Sequence, residues 1–281
     1  MIKLEERKAS IKPIKSKLKI SILDDQEISQ INQNTRTVLE EIGVVFPSDK
    51  ALKIFAEVGA NVDFEKQTVK IPADLLDKYL ATSPRNYTMA GARPDLDVHV
   101  GDGKGTYFYC SGESPRVVDF STGERRLSVK EDIANHARIA DYLPIISLMW
   151  PSASASDKGE TSPLHGLEAC FTNSEKHVES ESVMDEVSAR YAVEMAIAVS
   201  GSEEKLRERP VLSQLLCCIQ PLAQDRGGIE AAMIFAEYGI PVGFMSMPTL
   251  GLTAPPYPAG ALTIAMAETL SGIMLTQIIN P

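Results

Sequence analysis

The chain has 281 residues, 44% of them hydrophobic and 23% charged, which calls for a packed core and excludes a disordered chain. Its formal net charge of −10 excludes the basic face that a nucleic-acid binder needs, and steering by that charge favours a cationic ligand. The length fits one large domain, or a barrel with a small N-terminal piece.

Residues 1–19 alternate lysine with apolar residues and lack an unbroken apolar stretch, so they predict a basic flexible arm and no secretory leader. Residues 20–105 predict a helical N-terminal segment with a short β ribbon. Asp24 followed by Glu27 has the form of a capping box. Ile28, Ile31, Val38, Leu39 and Ile42 then fall on one helical face, and Gly43 suits the stop. A second helix starts at Ser48, buries Leu52 and Phe55 and stops at Gly59. Residues 62–64 face 69–71 as the ribbon, and Pro72 opens a third helix. Gly101, Gly103 and Gly105 lead into a strand and not a helix, so they predict a hairpin turn in preference to a nucleotide loop.

From Thr106 the chain alternates. Strand-like runs begin near Thr106, Ile145, Lys176, Val211 and Pro241, at the interval of one βα unit. A capping box at Ser128 and Glu131 opens the first intervening helix, and FSTGER (120–125) predicts a hairpin turn on Thr122-Gly123 ahead of it. Residues 186–199, 227–238 and 258–278 supply later helices. The run 259–279, broken by Glu268 and Gln277, predicts a buried amphipathic helix and no membrane span. The fold class is therefore α/β with parallel strands and covering helices. About five units fit either an open doubly wound sheet or part of a barrel.

In both architectures the site lies at the carboxyl ends of the strands. That rule selects Cys110 to Glu113, Trp150 to Ser152, Glu179 to Glu181, Cys218 to Pro221, and Met245 to Thr249. Glu113, Glu179 and Glu181 suit a cation or proton transfer, or are plain surface acids. Tyr107, Tyr109, Trp150 and Phe244 suit a quaternary ammonium, or fill core layers. The four histidines have no pairing spacing and no metal site is expected, although His177 could face the pocket. Cys110, Cys170, Cys217 and Cys218 lack C-x-x-C spacing. They predict free thiols and a cytoplasmic setting, with the adjacent Cys217 and Cys218 on opposite strand faces.

Four stretches, residues 35–95, 119–146 (DFSTGERRLSVKEDIANHARIADYLPII), 200–222 (SGSEEKLRERPVLSQLLCCIQPL) and 238–281, are similar to the trimethylamine methyltransferase family. The most specific is the last, with its Gly251-x-Thr253-Ala254-Pro255 turn, Ala259-Gly260 and Ala267-Glu268. The resemblance implies a TIM-type βα barrel spanning residues 106–281 and incomplete at about five units. It implies transfer of a methyl group from a methylated amine, such as trimethylamine or glycine betaine, to the cobalt of a corrinoid. That corrinoid is carried by a partner protein, so none is bound directly here. Some members use pyrrolysine, at a position beyond residue 281. The expectations are a fragment that is poorly soluble or inactive alone, a homo-oligomer, no nucleic acid and no membrane. Strand-end geometry then nominates Glu113 for the cation, Tyr109 and Trp150 as cage aromatics, Glu181 and Gln220 as polar groups of the mouth, and Met247 for its floor. The catalytic residues stay unassigned. The alternatives are a remnant that only docks a partner, and an α/β lyase or isomerase with a strand-end glutamate as base.

Overall fold

The computed structural model describes residues 8–15, 18 and 20–281. Helix α1 (Asp25–Thr37) starts at the predicted box. The Asp24 carboxylate accepts from the Glu27 N–H at 2.8 Å, and the Glu27 carboxylate from the Asp24 N–H at 2.9 Å. The helix ends in a π-helical turn, Val38–Ile42. That turn adds a residue to the helical repeat, so Leu39 is buried while Ile42, expected on the same face, is exposed. Gly43 stops it at φ 89°, and a β-carbon there would come within 2.6 Å of the Val69 carbonyl oxygen.

Strands β1 (Val44–Val45), β2 (Asn61–Asp63) and β3 (Thr68–Lys70) form an antiparallel sheet in the order β1-β3-β2. Helix α2 (Asp49–Glu57) buries Ala51, Leu52 and Phe55. Pro72 caps α3 (Ala73–Leu80) from just outside it, one residue earlier than expected. Strands β4 (Tyr87–Met89) and β5 (Val98–Val100) pair antiparallel. The glycine turn at 101–105 is therefore no hairpin turn, because β5 takes β4 as its partner and the turn leads to a different sheet.

That sheet begins with β6 (Phe108–Tyr109). A hairpin of β7 (Arg116–Val118) and β8 (Arg125–Leu127) follows, turning on Gly123 at φ 74° as predicted. The chain continues through α4 (Lys130–Tyr142), β9 (Ile146–Met149), α5 (Ser162–Asn173), β10 (His177–Ser180), α6 (Glu186–Ser200), α7 (Glu203–Glu208), β11 (Leu212–Cys217), α8 (Arg226–Glu237), β12 (Val242–Met245) and α9 (Pro258–Ile279). The α4 start differs from the predicted box. Ser128 donates to the Ser154 carbonyl at 2.7 Å, and the Asp132 carboxylate takes the Val129 N–H at 2.9 Å. Ser128 is fully buried, so its hydroxyl serves a neighbouring loop instead of its own helix.

Strands β6, β9, β10, β11 and β12 form one curled parallel sheet in which each pairs with its predecessor. Helices α4, α5, α6, α8 and α9 touch one another in the same order and so make a belt on one face. A doubly wound sheet would reverse its strand order and put helices on both faces, so that alternative is excluded.

Two cores result. One lies between the sheet and the belt. The other joins the N-terminal segment (Leu39, Phe46, Phe55 and Ile71) to Leu216, Phe244 and Met274. Helix α9 is long and apolar enough to cross a membrane, yet it packs on α1, α3, α8 and β12 at once. Its apolar residues therefore go all round the axis, and the expected amphipathic stripe is absent. Of the arm predicted at 1–19, residues 1–7, 16, 17 and 19 lie outside the described residues. Within the rest Ala9 is buried, Lys12 N–H donates to the Pro144 carbonyl at 2.7 Å, and Ile14 pairs with Thr106.

Candidate functional site

Side-chain alternation decides what faces the inner, concave side of the sheet. Phe244 points outward against α9, where a β-carbon on Gly272 would come 2.4 Å from its ring. It is thus no cage aromatic, and Gly243 and Met245 face inward. The parallel register matches these with Leu215 and Cys217, and carries Glu179 beside Ser213. Cys218 is buried outward, as expected from its adjacency to Cys217.

His177 does not serve the pocket. It is fully buried, with Nδ1 3.1 Å from the Ala90 carbonyl oxygen and Nε2 2.9 Å from Ser213 Oγ. A carbonyl only accepts, so Nδ1 donates and Nε2 accepts from the hydroxyl. Burial pushes its pKa down to about 4, which keeps the ring neutral as a staple between the β4–β5 hairpin and the sheet.

The glutamates do converge. Glu113 Oε1 accepts from Ser182 Oγ at 2.5 Å and Oε2 from Ser154 Oγ at 3.2 Å. Glu181 accepts the backbone N–H of Glu113 at 2.5 Å. Two carboxylates thereby tie together the loops that follow β6, β9 and β10. Burial pushes the Glu113 carboxyl above its ordinary range, the two serine hydroxyls pull it back, and the Glu181 charge pushes it up again. Glu181 packs over Gly112, where a β-carbon would come 2.6 Å from Oε1. Gly112→Ala is therefore expected to displace Glu181 and orphan the Glu113 N–H, costing about 1–2 kcal/mol in urea unfolding.

Tyr109 and Trp150 also meet, with ring centroids 5.5 Å apart and 34° between planes. Tyr109 is half exposed. Trp150 is 7% exposed, and its indole N–H finds no partner among the described residues. The loop behind them is fixed by Ser152, whose hydroxyl donates to the Ser111 carbonyl at 2.8 Å.

Gln220 and Met247 stand apart from this group. The Gln220 side chain donates to the Cys218 carbonyl at 2.8 Å, and Met247 lies exposed beyond β12. What joins their two loops is Glu268, which is fully buried on α9. One carboxyl oxygen accepts the Leu222 N–H at 2.7 Å and the other accepts the Ser246 hydroxyl. Leu222 sits at φ 53°, a conformation rare for a side-chain-bearing residue. It is pinned there from both sides, because its carbonyl accepts the Val45 N–H at 2.8 Å.

The strand-end rule selects Glu179 as a candidate, but the nominated site leaves it out. The alternation Glu179-Ser180-Glu181-Ser182 was the available signal, since it sends both acids to one face. Burial first, and the Glu181 charge second, push Glu179 up to about 7. It borders a cavity of about 340 Å³ under the β4–β5 hairpin, and a wider one of about 740 Å³ along the open edge of β12. We take the first as the site, because it holds Tyr109 as well as Glu179. Ser154, Ser182 and Glu268 carried no motif, as their roles depend on contacts distant in sequence.

The model of the family described as trimethylamine methyltransferase matches residues 3–281. A protein named trimethylamine methyltransferase MttB, from Desulfitobacterium hafniense (strain DSM 10664 / DCB-2), is 34% identical over 90% of this chain and 51% of its own length. A glycine betaine methyltransferase of Desulfitobacterium hafniense (strain Y51) is 30% identical over 94% of this chain and 54% of its own. Trimethylamine methyltransferase MttB of Methanosarcina barkeri (strain Fusaro / DSM 804) is 29% identical, also over 94% and 54%. The chain thus spans about half the length of the curated relatives it matches. On a match along nearly its whole length, the chain belongs to the trimethylamine methyltransferase family.

Proposed function

We propose that the chain forms the first five βα units of a TIM-type barrel that demethylates a methylated amine. The acceptor is the cobalt of a corrinoid held by a partner protein. In this reading residues 20–105 are the helical N-terminal segment and 106–281 the barrel. The setting is cytoplasmic, and the assembly is a homo-oligomer. The observation that carries the reading is the concave face itself, with three half-buried glutamates and the Tyr109–Trp150 pair at strand ends in a chain of this family.

The chemistry sets what such a site must do. The partner's corrinoid, with its cobalt reduced to cobalt(I), would supply the electron pair that takes up the methyl carbon. The electrons of the C–N bond leave on nitrogen, so a quaternary ammonium departs as a neutral tertiary amine. The protein must therefore hold a cation without blocking one methyl. Glu113 and Glu181 supply a negative field, Tyr109 and Trp150 supply π faces, and Gln220 and Met247 form the far rim.

A carboxyl near 7 is also suited to a general base, as in a lyase. A cavity of about 340 Å³ at that same carboxyl weighs toward the cation, since roughly 300 Å³ is already the scale of a small-molecule site. The test is to mix the chain with a reduced corrinoid protein and either trimethylamine or glycine betaine. The expected result is growth of the methyl-cobalt(III) absorbance with one of them. Silence with both, while a full-length relative turns over in the same assay, would overturn the reading.

A further inference from the structure

One carboxylate on the concave face is left out of the loop ties. Glu113 gives both oxygens to Ser182 and Ser154, and Glu181 gives one to the Glu113 backbone N–H. No described residue donates a hydrogen bond to the Glu179 side chain or pairs with it, and only burial and the Glu181 charge act on it. Once ionised, a half-buried carboxylate without a partner is costly unless something cationic joins it.

Its surroundings say what kind of cation. The cavity of about 340 Å³ beside Glu179 is lined by Tyr87, Tyr107 and Tyr109, by Met89 and Leu148, and by the 98–103 stretch, whose Asp102 is already paired with Lys104. A metal ion or a primary ammonium would need a full set of oxygen ligands, whereas Glu179 is the one carboxylate of this lining not paired with a described cation, beside three tyrosines and the apolar Met89 and Leu148. A methylated ammonium spreads its charge over carbon and is attracted to aromatic faces, with a single carboxylate to balance it.

We propose that Glu179 is the counter-carboxylate of a methylated ammonium ion held among Tyr87, Tyr107 and Tyr109. The identity of the cation rests on the methyltransferase reading, while the need for a cation rests on the geometry alone. Glu113 and Glu181 then act one step back, by positioning the loops around it.

The test uses the 281-residue chain and tetramethylammonium chloride, whose charge no pH change removes. Neopentyl alcohol serves as a neutral probe of similar shape. Calorimetric titration at about pH 8, above the Glu179 transition, is expected to show binding of the cation and none of the alcohol. Glu179→Gln should weaken cation binding by about tenfold or more, the scale of one desolvated charge contact. Tyr109→Leu should weaken it several-fold, and Tyr109→Phe should retain it, because the ring face is what counts. Tyr109 is half exposed, so these two variants do not depend on refolding the core. Wild-type binding that survives Glu179→Gln unchanged overturns this inference and leaves the methyltransferase reading standing, as does equal binding by the leucine and phenylalanine variants. A wild-type chain that ignores tetramethylammonium overturns both.

Discussion

Glu268→Ala is expected to destabilise the chain by about 2–5 kcal/mol, read from the urea midpoint and slope. The carboxyl is fully buried and serves two donors from different loops, the Leu222 N–H and the Ser246 hydroxyl. Removing it leaves both without an acceptor in the interior, and each orphan costs about 1–3 kcal/mol. It also releases Leu222 from a conformation that only the surrounding bonds sustain. Glu268→Gln is the control. Its amide oxygen can still take the Leu222 N–H, and the serine hydroxyl can rotate, so the loss should stay near 1 kcal/mol. An alanine variant no weaker than the glutamine variant would show that the carboxyl is not what holds the two loops.

The sequence carried the local half of this molecule well. The capping box at Asp24 and Glu27, the stop at Gly43 and the turn at Gly123 all follow from backbone chemistry within a few residues, and all appear as expected. Five strand starts were legible for the same reason, since buried parallel strands read as apolar runs between helices. The choice between a reversed and a continuous strand order was not legible, because it depends on which distant strands pair. Helix α5 went unnoticed, as Ser162–Asn173 mixes a proline, a glycine and polar residues that weaken its period. Tertiary demand likewise overrode the Ser128 cap. At the site, strand ends located Glu113, Glu181, Tyr109 and Trp150 in two touching pairs. They could not show that the first two are already committed to serines and a backbone amide, which is knowledge of contacts across three loops. Glu179 differs from its neighbour Glu181 only by two places on one strand, and only packing separates their roles.

That separation gives Glu179 a signature in stability. Its carboxyl sits at about 7 in the folded chain against 4.5 for the unperturbed group. Between those values the folded state keeps a proton that the unfolded state has lost, so stability falls as pH rises through the window. Above it the ionised carboxyl costs the fold on the order of 3 kcal/mol as a ceiling, reduced by water in the open cavity. His177 works in the opposite direction nearby. Burial holds it near 4 against 6.5 unfolded, so its contribution is lost as pH falls through that range. The wild-type profile mixes the two, and Glu113 adds a shift of the same sign as Glu179. Burial first, and the Glu179 charge second, push the Tyr87 hydroxyl above its ordinary phenol range, away from the window. Subtracting a Glu179→Gln variant removes what is common to both chains. The two should unfold at nearly the same urea concentration at about pH 4, below both Glu179 values. By about pH 8 the variant should be the more stable by on the order of 1–3 kcal/mol. A difference that does not change between these pH values would mean that Glu179 is solvated like an ordinary surface acid, and would remove the electrostatic demand that a bound cation is proposed to meet.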